Sequence, residues 1–305
     1  MKALNYILVD VFTNQKFGGN PLAVFEETGP LDPGLMQKIA NELNLSETVF
    51  VFPPTKPGNT KRIRIFTPRM ELPVAGHPTV GTAFLLGHEN WTVTREGVNE
   101  WILEEEVGDI QVYVHKEQGK MTRAGMKQPI PAFGDVFSDR EKAAWLLSLS
   151  PGDLHADLPV QTVSSGVPFL YIPVRSLEAM KKIKFRNDVW KQWFADRPET
   201  QHIYAFTLET VNPDFHVHGR MFAPAMGIME DPATGNANGP LGAYLIQHSL
   251  VPAKETGLYE IRSEQGIEMG RPSFIDIRIR KKGDAFEEVR LGGACVKVGE
   301  GRIFV

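Results

Sequence analysis

The sequence predicts an α+β protein built of two related halves, and three observations predict it. Strand-forming runs dominate the chain, with short helical stretches between them. One unit (strand, loop, glycine, helix of small residues) occurs twice. A proline-bearing stretch of little periodicity, 127–137, separates the two occurrences.

The elements follow in order. Residues 4–12 and 20–25 are rich in Val, Ile, Leu and Phe, with turn residues at 13–19, and read as strands. Residues 33–43 carry apolar positions at helical spacing, and Asp32 is placed to cap them. Glu47 opens an apolar strand, TVFVF, that stops at Pro53-Pro54, and residues 62–67 alternate as a strand does. Helical spacing returns at 78–88, and strands again at 102–114. The boundary is expected at 127–137, giving halves of 1–127 and 128–305, with the final strand free to return to the first half. Ser138 is expected to cap a helix over the following residues. Strands at 203–210 and 215–223, a helix around 236–248, and further strands complete the second half.

The repeat is detailed. Arg64-Ile65-Phe66-Thr67-Pro68 is echoed by Arg220-Met221-Phe222-Ala223-Pro224. A loop with a proline follows each, Pro73 or Pro232. Then come a glycine, Gly76 or Gly235, and a small-residue helix, HPTVGTAFLL or NANGPLGAYL. A helix N-terminus offers unpaired N–H groups and partial positive charge, which suits it to a carboxylate. Pro78 is expected at the first helical position and Pro240 in the first turn, where donors are spare. The glycines at 76, 81, 235, 239 and 242 serve either tight packing or close approach to a ligand. The matched pair of loops favours the ligand.

Composition narrows the function. At 305 residues the chain suits about two domains. A hydrophobic share of 42% and a charged share of 23% are ordinary for a globular protein. A net charge of -4 gives no basic footprint for nucleic acid. No apolar run approaches the roughly 18 residues of a spanning helix. The N-terminus is broken by Asp10 too soon for a signal peptide, so a cytoplasmic protein is expected. The single cysteine, Cys295, excludes an intramolecular disulfide and a Cys-rich zinc site.

Three titratable residues stand out: Glu47 at the head of an apolar strand, His77 after Gly76, and Asp231 before the second helix. A carboxylate beside an apolar run is poised for a raised pKa and for proton transfer. Each taken singly has a bland rival: a solvated strand end, a capping histidine, a loop-capping aspartate. His216 and His218 share a strand face as a possible metal pair, but no third ligand is in view, so no metal site is expected. Glu104-Glu105-Glu106 reads as a solvated strand edge. Neither a dinucleotide fingerprint nor a phosphate loop occurs.

Together these residues resemble the PhzF-like family of phenazine-biosynthesis isomerases and their relatives. The resemblance runs along nearly the whole chain. VDVFTNQKFGGNPLAVF at 9–25, NLSETVF at 44–50, ELPVAGHPTVGTA at 71–83, EDPATGNANGPLGAY at 230–244 and SEQGIEMGRPS at 263–273 match in order. It implies the diaminopimelate-epimerase fold: two halves, each a curved sheet around a central helix, with the active site in the cleft between them. It also implies a homodimer and a cofactor-free enzyme. Glu47 would be the acid/base that moves a proton on a small carboxylate-bearing unsaturated substrate similar to dihydro-hydroxyanthranilate. His77 and Asp231 match supporting catalytic residues, and Gly76 and Gly235 match backbone donors. Asn20 and Ser46 sit in matching segments, as does Asn236, where the family's phenazine enzyme has serine. The epimerases of this fold use two cysteines, which these loops lack. A racemase with non-thiol bases and a non-catalytic binding protein are the rival readings.

Overall fold

The computed structural model describes residues 3–26 and 29–305. The chain forms two compact units: Met1–Lys127 together with Gly292–Val305, and Gln128–Leu291.

The first unit begins with β1 (Ala3–Val11) and β2 (Asn20–Phe25), an antiparallel pair. Helix α1 (Pro33–Leu43) crosses to β3 (Glu47–Phe52), which runs parallel to β2. The cap is the expected one: Asp32 Oδ1 accepts from the Leu35 N–H at 3.0 Å. Asn44 closes the other end in the left-handed conformation. Met36, Ile39 and Ala40 pack beneath α1 on Phe25, Phe50 and Phe66. Phe25 and Phe50 stack at 4.8 Å.

Strand β4 (Lys61–Phe66) returns antiparallel to β3 and pairs with the short β5 (Glu71–Leu72). Helix α2 (Gly76–His88) then leads to β6 (Gly97–Glu105), parallel to β4. The antiparallel strands β7 (Gly108–Glu117) and β8 (Lys120–Gln128) follow. The last strand of the chain, β18 (Cys295–Phe304), pairs with β1.

Every residue of α2 from Gly76 to Gly87 is buried, which marks a helix enclosed by its own sheet rather than lying on it. Gly81 sets the closeness: a Cβ there would stand 2.7 Å from both Leu22 Cδ2 and Val11 Cγ2. Gly239 and Gly242 of the second unit are crowded in the same way by Gln128, Ile277 and Ile279. These three glycines therefore serve tight packing.

The second unit repeats the order of pairings. After β9 (Ala132–Val136) and helix α3 (Arg140–Leu146), strand β10 (Gln161–Ser164) pairs antiparallel with β11 (Pro168–Pro173). Helices α4 (Leu177–Lys182) and α5 (Asn187–Trp193) cross to β12 (Ile203–Thr207), parallel to β11. Strand β13 (Val217–Ala223) is antiparallel to β12 and pairs with the short β14 (Ile228–Asp231). Helix α6 (Gly235–Gln247) leads to β15 (Leu258–Gln265), parallel to β13. Strand β16 (Ser273–Lys282) is antiparallel to β15, and β17 (Ala285–Gly293) follows. Helices α3, α4 and α5 close a separate apolar cluster on Leu146, Met180, Trp190 and Phe194. α6, like α2, is almost wholly buried.

The repeat extends to side chains. Arg64 grips Glu71 with two hydrogen bonds of 2.6 Å. Arg220 grips Glu230 with bonds of 2.8 and 2.9 Å. Each pair ties the strand before the loop to the short strand within it, the bidentate geometry that arginine favours.

Several expectations need correction. Asp139, not Ser138, caps α3, accepting from the Lys142 N–H. Pro78 is the third residue of α2 rather than the first, still within the turn whose N–H groups have no helical partner. Pro240 is the sixth residue of α6, inside the helix, where it removes one donor from the ladder. The Glu104–Glu106 run is not a solvated edge, since Glu104 and Glu105 are buried. Glu104 accepts from the Thr55 hydroxyl and N–H, the Lys56 N–H and the Asn59 amide. Burial works against its charge, but those donors outweigh it and hold its pKa down to about 2. No helix among the described residues is long and apolar enough to cross a membrane.

Candidate active site

Three segments of the first unit bring Asn20, Glu47 and His77 together. Asn20 is the first residue of β2 and Glu47 the first of β3. The parallel register sets Leu22 beside Glu47. Paired residues share a sheet face, and so do residues two apart on one strand. Leu22 meets α2 at Gly81, so Asn20 and Glu47 point to the same helix. His77, second in α2, completes the group. The Asn20 amide nitrogen lies 3.1 Å from His77 Nδ1. His77 Nε2 lies 3.2 Å from Glu47 Oε2. All three side chains are buried.

The electrostatics follow from this closure. An amide nitrogen only donates, so Nδ1 is an acceptor and the imidazole carries its proton on Nε2, facing the carboxylate. Burial pushes the pKa of His77 down to about 3, so the ring is neutral at ordinary pH. The first turn of α2 carries no side-chain cap on its N–H groups, and its cap residue is Ala75. Gly76 opens that turn. Ser46, half-buried, directly precedes Glu47.

The second unit organises Asp231 and its loop. Asp231 ends β14, buried, and its Oδ2 accepts from the Thr234 hydroxyl at 2.6 Å. Thr234 is the cap residue of α6, but its side chain accepts none of the helix N–H groups. Gly235 and the half-buried Asn236 are the first two helical residues. Gln265 at the end of β15 holds the loop: its Nε2 donates to the Asp231 carbonyl at 2.7 Å and to Thr234 Oγ1 at 3.1 Å. Gly266 permits this. Its φ is +75°, and a Cβ there would stand 2.5 Å from the Pro232 carbonyl. Gln265 lies in the SEQG segment at 263–266, but the sequence gives it no role. Only the fold places it under the loop.

The other titratable clusters are closed. His218 donates or accepts at both nitrogens, 2.9 Å from Glu264 and 2.9 Å from Glu268. Burial disfavours its charge, but the two glutamates outweigh that and raise its pKa to about 9. Among the described residues no three His, Cys, Asp or Glu side chains are grouped to hold a metal ion. Burial pushes the thiol of Cys295 up to about 12.

Comparison with known proteins agrees with this architecture. A model of the family described as phenazine biosynthesis-like protein matches residues 9–301. The chain is 38% identical to an uncharacterized isomerase of Mesorhizobium japonicum, covering 100% of both chains. It is 32% identical to the trans-2,3-dihydro-3-hydroxyanthranilate isomerase of Pseudomonas aeruginosa, covering 98% of this chain and 99% of that protein. A Bacillus anthracis protein of the PhzF family superposes with a TM-score of 0.88 at 28% identity, covering 100% of both chains. A hydroxyproline epimerase of Agrobacterium vitis shares the fold alone, with a TM-score of 0.67 at 10% identity. The fold is thus that of diaminopimelate epimerase, and the chain belongs to the phenazine biosynthesis-like protein family and is an isomerase.

Proposed function

We propose that the reaction is a proton shift on a small carboxylate-bearing, unsaturated substrate similar to trans-2,3-dihydro-3-hydroxyanthranilate, with Glu47 as general acid/base. The observation that carries this reading is the buried contact of Glu47 with the neutral imidazole of His77. A buried carboxylate set against a fixed, neutral imidazole is suited to take and return a proton.

The step balances without a co-reactant. The Glu47 carboxylate takes a proton from an acidic carbon, and the C–H electron pair enters the conjugated system. The carboxylic acid so formed returns the proton to another carbon, and the double bonds move. His77 faces Glu47 with its Nε2 edge at 3.2 Å, and Asn20 fixes the tautomer. Spare N–H groups at Gly76 and in the first turn of α2 suit the negative charge that develops. Asp231, Gly235 and Asn236 are assigned to holding substrate, because their loop matches the family's and opens a helix whose N–H groups favour a carboxylate. Ser46 is assigned beside Glu47 on its place in the chain. A homodimer is proposed on family membership.

Relatives named as isomerases of that compound support the substrate class. The test is direct incubation with trans-2,3-dihydro-3-hydroxyanthranilate and with a panel of small unsaturated carboxylates. Conversion to an isomer of unchanged mass supports the reading. Saturable binding of the panel without any turnover contradicts it and favours a binding protein.

A further inference from the structure

Glu105 ends β6 and reaches the first turn of α2. Its Oε1 lies 2.5 Å from the Thr79 hydroxyl. The same hydroxyl lies 2.5 Å from the Ala75 carbonyl. A threonine hydroxyl has one hydrogen, so it cannot donate to both. The count closes when Glu105 supplies a hydrogen: the carboxyl O–H donates to Thr79 Oγ1, and the Thr79 O–H donates to Ala75. Burial favours that neutral form and pushes the pKa of Glu105 up to about 8, against the pull of Thr79 and the Ala75 backbone.

The second unit makes the same clamp with an amide. The parallel registers set Arg62 beside Glu104 in one unit and His218 beside Glu264 in the other. Glu105 and Gln265 are each the next residue. Thr79 and Asn238 are each fourth in their helix, and Ala75 and Thr234 are the cap residues. Gln265 engages Thr234, Asn238 and the Asp231 carbonyl. An amide is neutral at every pH, so one clamp is fixed and the other can ionise.

We propose that Glu105 is a positioning residue that works as a neutral acid: its O–H fixes the first turn of α2, and with it Gly76 and His77, and its ionisation releases that turn. The catalytic consequence rests on the reading of Glu47 and His77 given above. The charged groups around Glu105 are Arg62 and Arg64 of β4, Glu71 of β5 and the adjoining Glu106, which line one shallow cavity with it. Arg64 is already held by Glu71. From α2 it faces the neutral His77 turn.

The experiment compares wild type with Glu105→Gln, which installs the side chain of the sister clamp. Two readouts are taken: kcat between pH 6 and 9.5, and the urea midpoint over pH 5 to 9. The wild type is expected to lose activity at least fivefold above pH 8, while Glu105→Gln matches it at pH 7 and holds its rate. The sign of the stability effect follows from the raised pKa. Between about 4.5 and about 8 the folded chain holds one proton more than the unfolded chain, so wild-type stability falls as pH rises through that window. Glu105→Gln lacks that fall, so the difference in midpoint shifts steadily in its favour. A difference that stays constant with pH overturns the proposal, as does an alkaline limb that persists in Glu105→Gln. If no substrate turns over, the functional reading fails and the midpoints still decide Glu105. If Glu105→Gln does not fold, carboxyl carbon NMR of glutamate-labelled Glu47→Gln protein decides. One resonance titrating near pH 8 supports the proposal, and none above pH 6 overturns it.

Discussion

The amide nitrogen of Asn20 lies 3.1 Å from Nδ1 of His77, and this one contact fixes which ring nitrogen faces Glu47. With Nδ1 accepting, the proton sits on Nε2. Asn20→Asp reverses the arrangement, because a carboxylate only accepts. It draws the proton to Nδ1 and favours the imidazolium form. The expected outcome is a fall in kcat of about 10- to 100-fold with little change in KM. Steady-state kinetics check it, and unchanged kcat contradicts the tautomer assignment.

His77 also predicts an acid dependence of stability. Its folded pKa of about 3 lies below the ordinary 6.5 of the unfolded chain. Between those values the unfolded chain binds the extra proton, so stability is complete above pH 6.5 and is lost as pH falls toward 3. The loss attributable to this ring is about 3 kcal/mol between pH 7 and pH 4. Urea midpoints of wild type and His77→Asn measure it: the variant should show a flatter acid limb. Parallel limbs would show that burial of His77 does not govern the slope.

How much was legible in the sequence follows from where each determinant lies. Helix α1 was readable to its bounds because Asp32, the apolar spacing and the end of the helix are local signals. The twofold unit was readable because its loops repeat residue types in order. The Glu104–Glu106 run was misread because burial there is decided by distant partners: Thr55 and Lys56 for Glu104, and Thr79 for Glu105. The short helices α4 and α5 carry too few turns for a clear period. The contact between Asn20 and His77 spans 57 positions, and nothing in the spacing of those residues encodes it. The sequence brought Asn20 forward only through the matching of whole segments.

Packing of the central helix gives a stability prediction. Gly81→Ala pushes a methyl group to within 2.7 Å of Leu22 and Val11, which cannot move without disturbing β1 and β2. The expected cost is about 1–3 kcal/mol. Gly299→Ala, where an added Cβ meets nothing within 4 Å, is the control and should stay within about 0.5 kcal/mol. Denaturant titration of both variants checks the contrast. Equal effects would mean that α2 is held less tightly than this geometry requires.

The central claim is that Glu47 carries the proton. Its most direct test is turnover of trans-2,3-dihydro-3-hydroxyanthranilate in heavy water, wild type beside Glu47→Gln. The wild type is expected to form the isomer, with deuterium at carbon in those turnovers in which the Glu47 carboxylic acid exchanges with solvent before it returns its proton. Glu47→Gln is expected to bind the compound still but to turn it over at least about 100-fold more slowly. A Glu47→Gln variant that isomerises the compound at the wild-type rate would contradict the account.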